Sequence, residues 1–125
     1  MPSKRSARDR LSHIRHYIYL TGNMIADHDY ESFLADTKTS LATIYCLQII
    51  SEASRHLPDD IKARHPHINW RGLGDASNIY RHEYDNVAPN QVWNAIKERL
   101  PELLAVVEEE LNLTTSPAPT PKPNL

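Results

Sequence analysis

The sequence holds a single cysteine, Cys46, so an internal disulfide and a cysteine-built zinc site are both excluded. Cys46 lies between Tyr45 and Leu47 in an apolar run, where a buried, inert thiol is expected rather than a nucleophile. No stretch approaches the eighteen or so apolar residues of a membrane span, and the charged N-terminus lacks the apolar segment of a secretory leader. A cytoplasmic protein with no membrane association is therefore expected. An excess of one charge is also missing: 14 Lys and Arg stand against 16 Asp and Glu, for a formal charge of -2 over 125 residues. Global electrostatics thus give no argument for nucleic acid, and any such argument rests on local asymmetry. Internal repeats and strand-like alternation are absent as well.

What is present is one domain's worth of helical pattern. Residues 1–5 read as a disordered lead-in, 6–112 as a helical bundle, and 113–125 as a Pro- and Thr-rich disordered tail that cannot build a core. From Ser6 to Asp27, Leu11, Ile14, Ile18 and Ile25 recur at helical spacing. His13 and His16 on this segment have no third ligand placed to join them and are read as surface residues. Charge is uneven: Lys4, Arg5, Arg8, Arg10 and Arg15 make the start basic, while Glu98, Glu102, Glu108, Glu109 and Glu110 make the end acidic. Asp29 is a plausible N-cap for a short turn carrying Tyr30, Phe33 and Leu34.

A second long helix is expected from Thr37 to His56, apolar over much of its circumference through Leu41, Ile44, Tyr45, Leu47, Ile49 and Ile50. Such a helix is central, or it also faces a partner subunit. Glu52 near its end is either a solvated terminus or a buried partner for an Arg or His. Pro58 with Asp59 and Asp60 starts a short extra helix that stops at His65-Pro66-His67, whose histidines are read as exposed loop residues. Val92, Trp93, Ile96, Leu100, Leu103, Leu104, Val107 and Leu111 keep helical phase in the last segment. Pro101 should kink or split it near Arg99.

The chemistry concentrates between Asn69 and Val87, N-W-R-G-L-G-D-A-S-N-I-Y-R-H-E-Y-D-N-V. A helix from Trp70 to about Tyr84 aligns Trp70, Leu73, Ser77 and Tyr80 on one stripe and Gly74, Asn78, Arg81, His82 and Asp85 on the next. The second stripe is read as the wall of a polar groove. Asn78 and His82 are one turn apart, so an amide and an imidazole can face the same small volume. Imidazole takes and returns protons near neutral pH, and arginine holds a phosphate's charge. Four long helical segments with short connections give the expected fold, an all-α antiparallel four-helix bundle.

The order I-I-S-E-A-S-R, H-I-N-W-R, N-I-Y-R-H-E-Y-D-N-V and V-W-N-A-I-K-E-R-L-P-E-L resembles the HepT-like branch of the HEPN domains over nearly the whole domain. That resemblance implies an all-α homodimer whose active members are metal-independent ribonucleases acting as toxins. It implies no cofactor and, as partner, a minimal nucleotidyltransferase (MNT-type) antitoxin that modifies the motif tyrosine. The family motif is Arg, usually Asn, three further residues, His, one residue, Tyr. It places Asn78, His82 and Tyr84 in the Asn, His and Tyr roles. The motif arginine falls on Ser77. In the family that Arg steadies the phosphate in a site composed across the dimer, while His moves protons during attack by the ribose 2′-hydroxyl.

Two arginines are candidates to substitute: Arg81, beside His82, and Arg71, eleven residues before His82 and about 16 Å up the axis. The expected catalytic set is thus His82, Arg81 and Asn78, with Arg71 in reserve, Tyr84 as the point of control and no metal. The alternative expectation is a binding module that has lost cleavage with the change to Ser77 and still recognises RNA or the nucleotidyltransferase. A metal-dependent enzyme using His65, His67 and His82 is the weakest of the three readings.

Overall fold

The computed structural model describes residues 6–83 and 86–114. Within them the chain is all-α: α1 (Ala7–Ile25), α2 (Tyr30–Ala35), α3 (Thr37–Arg55), α4 (Asp59–Arg64), α5 (Trp70–His82), α6 (Pro89–Asn94) and α7 (Leu100–Thr114), with a π-helical turn at Ala95–Arg99 joining the last two. Four long units, α1, α3, α5 and α6 through α7, form the expected bundle. The lead-in 1–5, most of the expected tail and Tyr84 with Asp85 lie outside the described residues. Among the described residues, no helix is long and apolar enough to cross a membrane.

The helix ends follow local chemistry. Ser6 caps α1 by accepting from the Asp9 backbone N–H, and Asp36 caps α3 through Thr39. Asp29 and Ser32 cap each other's backbone at the start of α2, a reciprocal box that satisfies two orphan donors. Pro101 does not break the last helix. It lacks the N–H that would bond one turn back, and its ring would crowd the carbonyl there. The turn before it widens instead, so that the Leu100 N–H bonds to the Ala95 carbonyl five residues back. The expected kink near Arg99 is this π-turn.

Leu11, Ile14 and Ile18 of α1, Ile44, Leu47 and Ile50 of α3, and Val92, Ile96, Leu103, Val107 and Leu111 of α6 and α7 form the core. Full burial of such side chains contributes about 1.5–3 kcal/mol each relative to exposure. Cys46 is buried and free, and burial pushes its thiol up from the ordinary range. Phe33 and Trp93, with ring centroids 5.1 Å apart, seat α2 on α6. Helix α5 packs on α3, and the core meets it through half-buried Trp70, Leu73 and Tyr80.

One expectation fails at the entrance to α5. His67 is exposed, but His65 is only 5% exposed, and Glu110, counted above with the acidic end, is fully buried. Their side chains meet: His65 Nε2 lies 2.6 Å from Glu110 Oε2, and Arg64 donates to both carboxylate oxygens at 2.7 and 3.0 Å. The helical phase explains it, since position 110 falls three residues after Val107 and beside Leu111 on the inward stripe. A carboxylate carried into the core must be paired, and Arg64, the last residue of α4, and His65, its C-cap, supply the partners. Trp70 Nε1 then donates to the His65 carbonyl at 3.0 Å, fixing the first turn of α5.

Hydrogen bonds from Arg64, then His65, hold the Glu110 carboxyl below its ordinary range against the opposing effect of burial. The unfolded chain therefore binds this proton more readily than the folded one. The contribution is present above the unfolded carboxyl's pKa and is lost as pH falls through the folded one. Glu110→Gln should cost about 3 kcal/mol at neutral pH and lower the thermal midpoint by roughly 10 °C. Circular dichroism melts should show the gap between parent and variant closing on acidification.

Candidate functional site

Asn69 begins the site's helix by accepting from the Gly72 N–H at 3.0 Å, which offsets the weak helix preference of the two glycines that follow. Two small residues let α5 lie close on α3. Ser77 is fully buried, its one hydroxyl hydrogen shared between the Gly74 carbonyl at 2.9 Å and Glu52 Oε1 at 3.2 Å. Gly74 is buried too, under the stem of Arg55: a Cβ there would stand 2.7 Å from Arg55 Cγ. Gly74 therefore stands at the α3 end of the polar stripe on which the sequence places it, covered by α3 rather than open to solvent. The glycine is needed for this close approach.

Glu52 resolves into neither of its two expected states alone. Half-exposed, it accepts from Ser77 on one oxygen and on the other meets His56 at 3.0 Å and Arg55 at 3.5 Å. The hydrogen bond from His56, then the Arg55 charge and the Ser77 hydroxyl, hold its carboxyl below the ordinary range against desolvation.

On the last turn of α5 the structure brings Asn78, Arg81 and His82 together. Arg81 donates through Nη2 to Asn78 Oδ1 at 2.6 Å and through Nε to His82 Nε2 at 3.4 Å. All three are exposed. In this geometry Nε2 of His82 is the lone-pair nitrogen, the one able to accept a proton. The negative end of the helix dipole lies here, and it favours the two basic side chains. Arg71 is not part of the group: it is 93% exposed on the first turn, where it lies 3.9 Å from Asp75. Tyr84 lies outside the described residues.

The sequence expectation places this cluster on the wall of a polar groove. A cavity of about 320 Å³ does open beside α5, but its walls are Leu47, Leu73, Ala76, Tyr80, Arg99 and Leu103. This is the stripe next to the cluster, turned toward α7. Burial raises the Tyr80 phenol above its ordinary range, with Arg99 opposing, so it stays a hydrogen-bond donor there. Of the third reading's histidines, His65 and His67 have ring centroids 6.0 Å apart, but His65 is committed to Glu110. Among the described residues no group of three or more His, Cys, Asp or Glu is placed to hold a metal ion.

Residues 49–56 hold what the sequence reading passed over, namely Arg55 and His56. The signal was available in Gly74 and Ser77, two small residues at helical spacing that invite a long side chain from the neighbouring helix.

The all-α bundle is that of an HEPN-like protein. The family profile described as "Ribonuclease HepT-like" matches residues 8–110, and the chain belongs to this HepT-like ribonuclease family. It is 37% identical over 106 residues to a protein of Thermococcus cleftensis named "Probable ribonuclease HepT", covering 85% of this chain and 96% of that one. It is 33% identical over 100 residues to a candidate RNase, MJ0125, of Methanocaldococcus jannaschii, covering 80% of this chain and 86% of that one. No solved structure matches the chain at a significant level.

Ser77→Ala removes the hydroxyl that links α5 to Glu52. Urea unfolding should show a loss of about 1 kcal/mol. An unchanged midpoint would mean that the small size of residue 77 matters and its hydroxyl does not.

Proposed function

We propose that the protein is the toxin of a cytoplasmic toxin–antitoxin pair, a metal-independent endoribonuclease whose site is completed across a homodimer. Its neutralising partner is a minimal nucleotidyltransferase antitoxin that attaches nucleotide to Tyr84. The observation that carries this reading is the Arg81 guanidinium bridging Asn78 and His82 on an exposed helix end, in a chain of the HepT-like family.

In the reaction the ribose 2′-hydroxyl attacks the adjacent phosphorus. The O2′–P bond forms and the P–O5′ bond breaks, leaving a 2′,3′-cyclic phosphate and a 5′-hydroxyl. His82 takes the proton from O2′, and the leaving O5′ receives one from the partner subunit's imidazole or from water. Arg81 meets the charge that builds on the phosphate oxygens, and Asn78 holds the guanidinium in place. Pairing of two copies is supported by α3, where Leu41 and Tyr45, one turn apart, are 48% and 61% exposed. Nucleotide on Tyr84, two residues beyond His82, would set a bulky anion against Arg81 and exclude substrate phosphate.

The second reading, a module that binds RNA or the nucleotidyltransferase without cutting, is favoured by one observation. Position 77 carries a buried, hydrogen-bonded serine with no charge to offer a phosphate.

Purified dimer in EDTA should cut total RNA, and His82→Ala should cut it roughly 100-fold or more slowly. Equal cutting by the variant would remove His82 from the mechanism, and no cutting by either would favour the binding module. After co-expression with the nucleotidyltransferase, intact mass should show an added nucleotide that Tyr84→Phe abolishes. Absence of any added mass would contradict control through Tyr84.

A further inference from the structure

We propose that Arg55 is a second phosphate-binding residue of this site, delivered by α3 across the gap that Gly74 and Ser77 leave in α5. Its ligand is the ribose-phosphate backbone of single-stranded RNA, and the proposal rests on the ribonuclease reading above. Three observations converge on it.

The first is placement. The Arg55 stem crosses α5 at Gly74, where an added Cβ would meet its Cγ at 2.7 Å and its Cδ at 3.2 Å. Positions 74, 78 and 81 share one helical stripe. Arg55 therefore lies at one end of the stripe, Arg81 at the other and Asn78 between them, spanning about 10 Å along the axis. The second is the space itself. Ser77 turns its short side chain inward to the Gly74 carbonyl and Glu52, so residue 77 does not compete for the surface that Arg55 covers.

The third is availability. The Arg55 guanidinium is half-exposed and its contact with Glu52 is loose, at 3.5 Å, on an oxygen that His56 approaches more closely at 3.0 Å. An exposed pair of this kind is weak in water, and the planar guanidinium fits phosphate oxygens bidentately. Arg81 alone is poorly equipped for the task. One arm is spent on Asn78, and the C-terminal end of α5 repels an incoming anion. A second arginine one to two turns back gives the strand a track that keeps it clear of the dipole's negative end.

The test uses the full-length dimer and two readouts: RNA cleavage in EDTA, and equilibrium binding of a 2′-O-methyl oligoribonucleotide, which cannot react, across a salt series. Arg55→Gln keeps the stem over Gly74 and removes the charge. It should lower cleavage roughly 10- to 100-fold, as expected for a lost charged hydrogen bond, and reduce the salt slope of binding by about 0.7. Gly74→Ala should produce the same losses by displacing Arg55 while favouring the helix.

Parent-like cleavage and slope in Arg55→Gln would overturn the proposal. If the parent binds but does not cut, the ribonuclease reading fails, while a reduced slope in Arg55→Gln still upholds Arg55. If the parent neither binds nor cuts, both fall.

Discussion

One buried carboxylate sets the geometry on which everything else rests. Glu110 enters the core on the inward stripe of α7, and leaving it unpaired there would cost more than a core of this size tolerates. Arg64 and His65 supply its partners, so the segment after α4 is drawn down onto α7. The His65 carbonyl, held by that contact, receives the Trp70 indole N–H. The first turn of α5 is thus tied to the last helix through three side chains, and the direction of α5 across the bundle follows.

A second polar node ties the other side of α5 to α3. Glu52 gathers Ser77, His56 and Arg55, and the small residues Gly74 and Ser77 bring the helices close enough for it to do so. Between these two anchors α5 presents its outer stripe to solvent. The amide, guanidinium and imidazole on its last turn are fixed by the helix and by one another rather than by burial. Such a site suits a long flexible polyanion, which needs charge along a surface, better than a small molecule that must be enclosed. The enclosed space beside it belongs to the neighbouring stripe, where Tyr80 and Arg99 flank apolar walls.

The fold was legible in the sequence because apolar periodicity, caps and proline are local signals. The bounds of α1, α3 and α4 follow from Ser6, Asp36 and Pro58 with little help from tertiary contacts. The candidate site was legible in its last turn, because residues 78, 81 and 82 lie near one another in any helix. What escaped depended on contacts between distant segments. His65 with Glu110, 45 residues apart, and Arg55 over Gly74 are pairings that no window of one helix displays. The cavity beside α5 escaped for a related reason: it lies between α5 and α7, and no window of one helix displays which stripe of α5 meets α7. Pro101 announced a disturbance, but not its form, a widened turn at Ala95–Arg99 that keeps Leu100 and Leu103 in the core.

The central claim is that this helix end cleaves RNA by moving protons and holding phosphate, with the ribose itself as nucleophile. The most direct measurement is the chemistry of the product ends from a short RNA of defined sequence incubated in EDTA. The account predicts a 2′,3′-cyclic phosphate on the upstream fragment, a 5′-hydroxyl on the downstream one, and no cleavage where the 2′-oxygen is methylated. Fragments bearing 5′-phosphates, formed only when a divalent metal is restored, would contradict it.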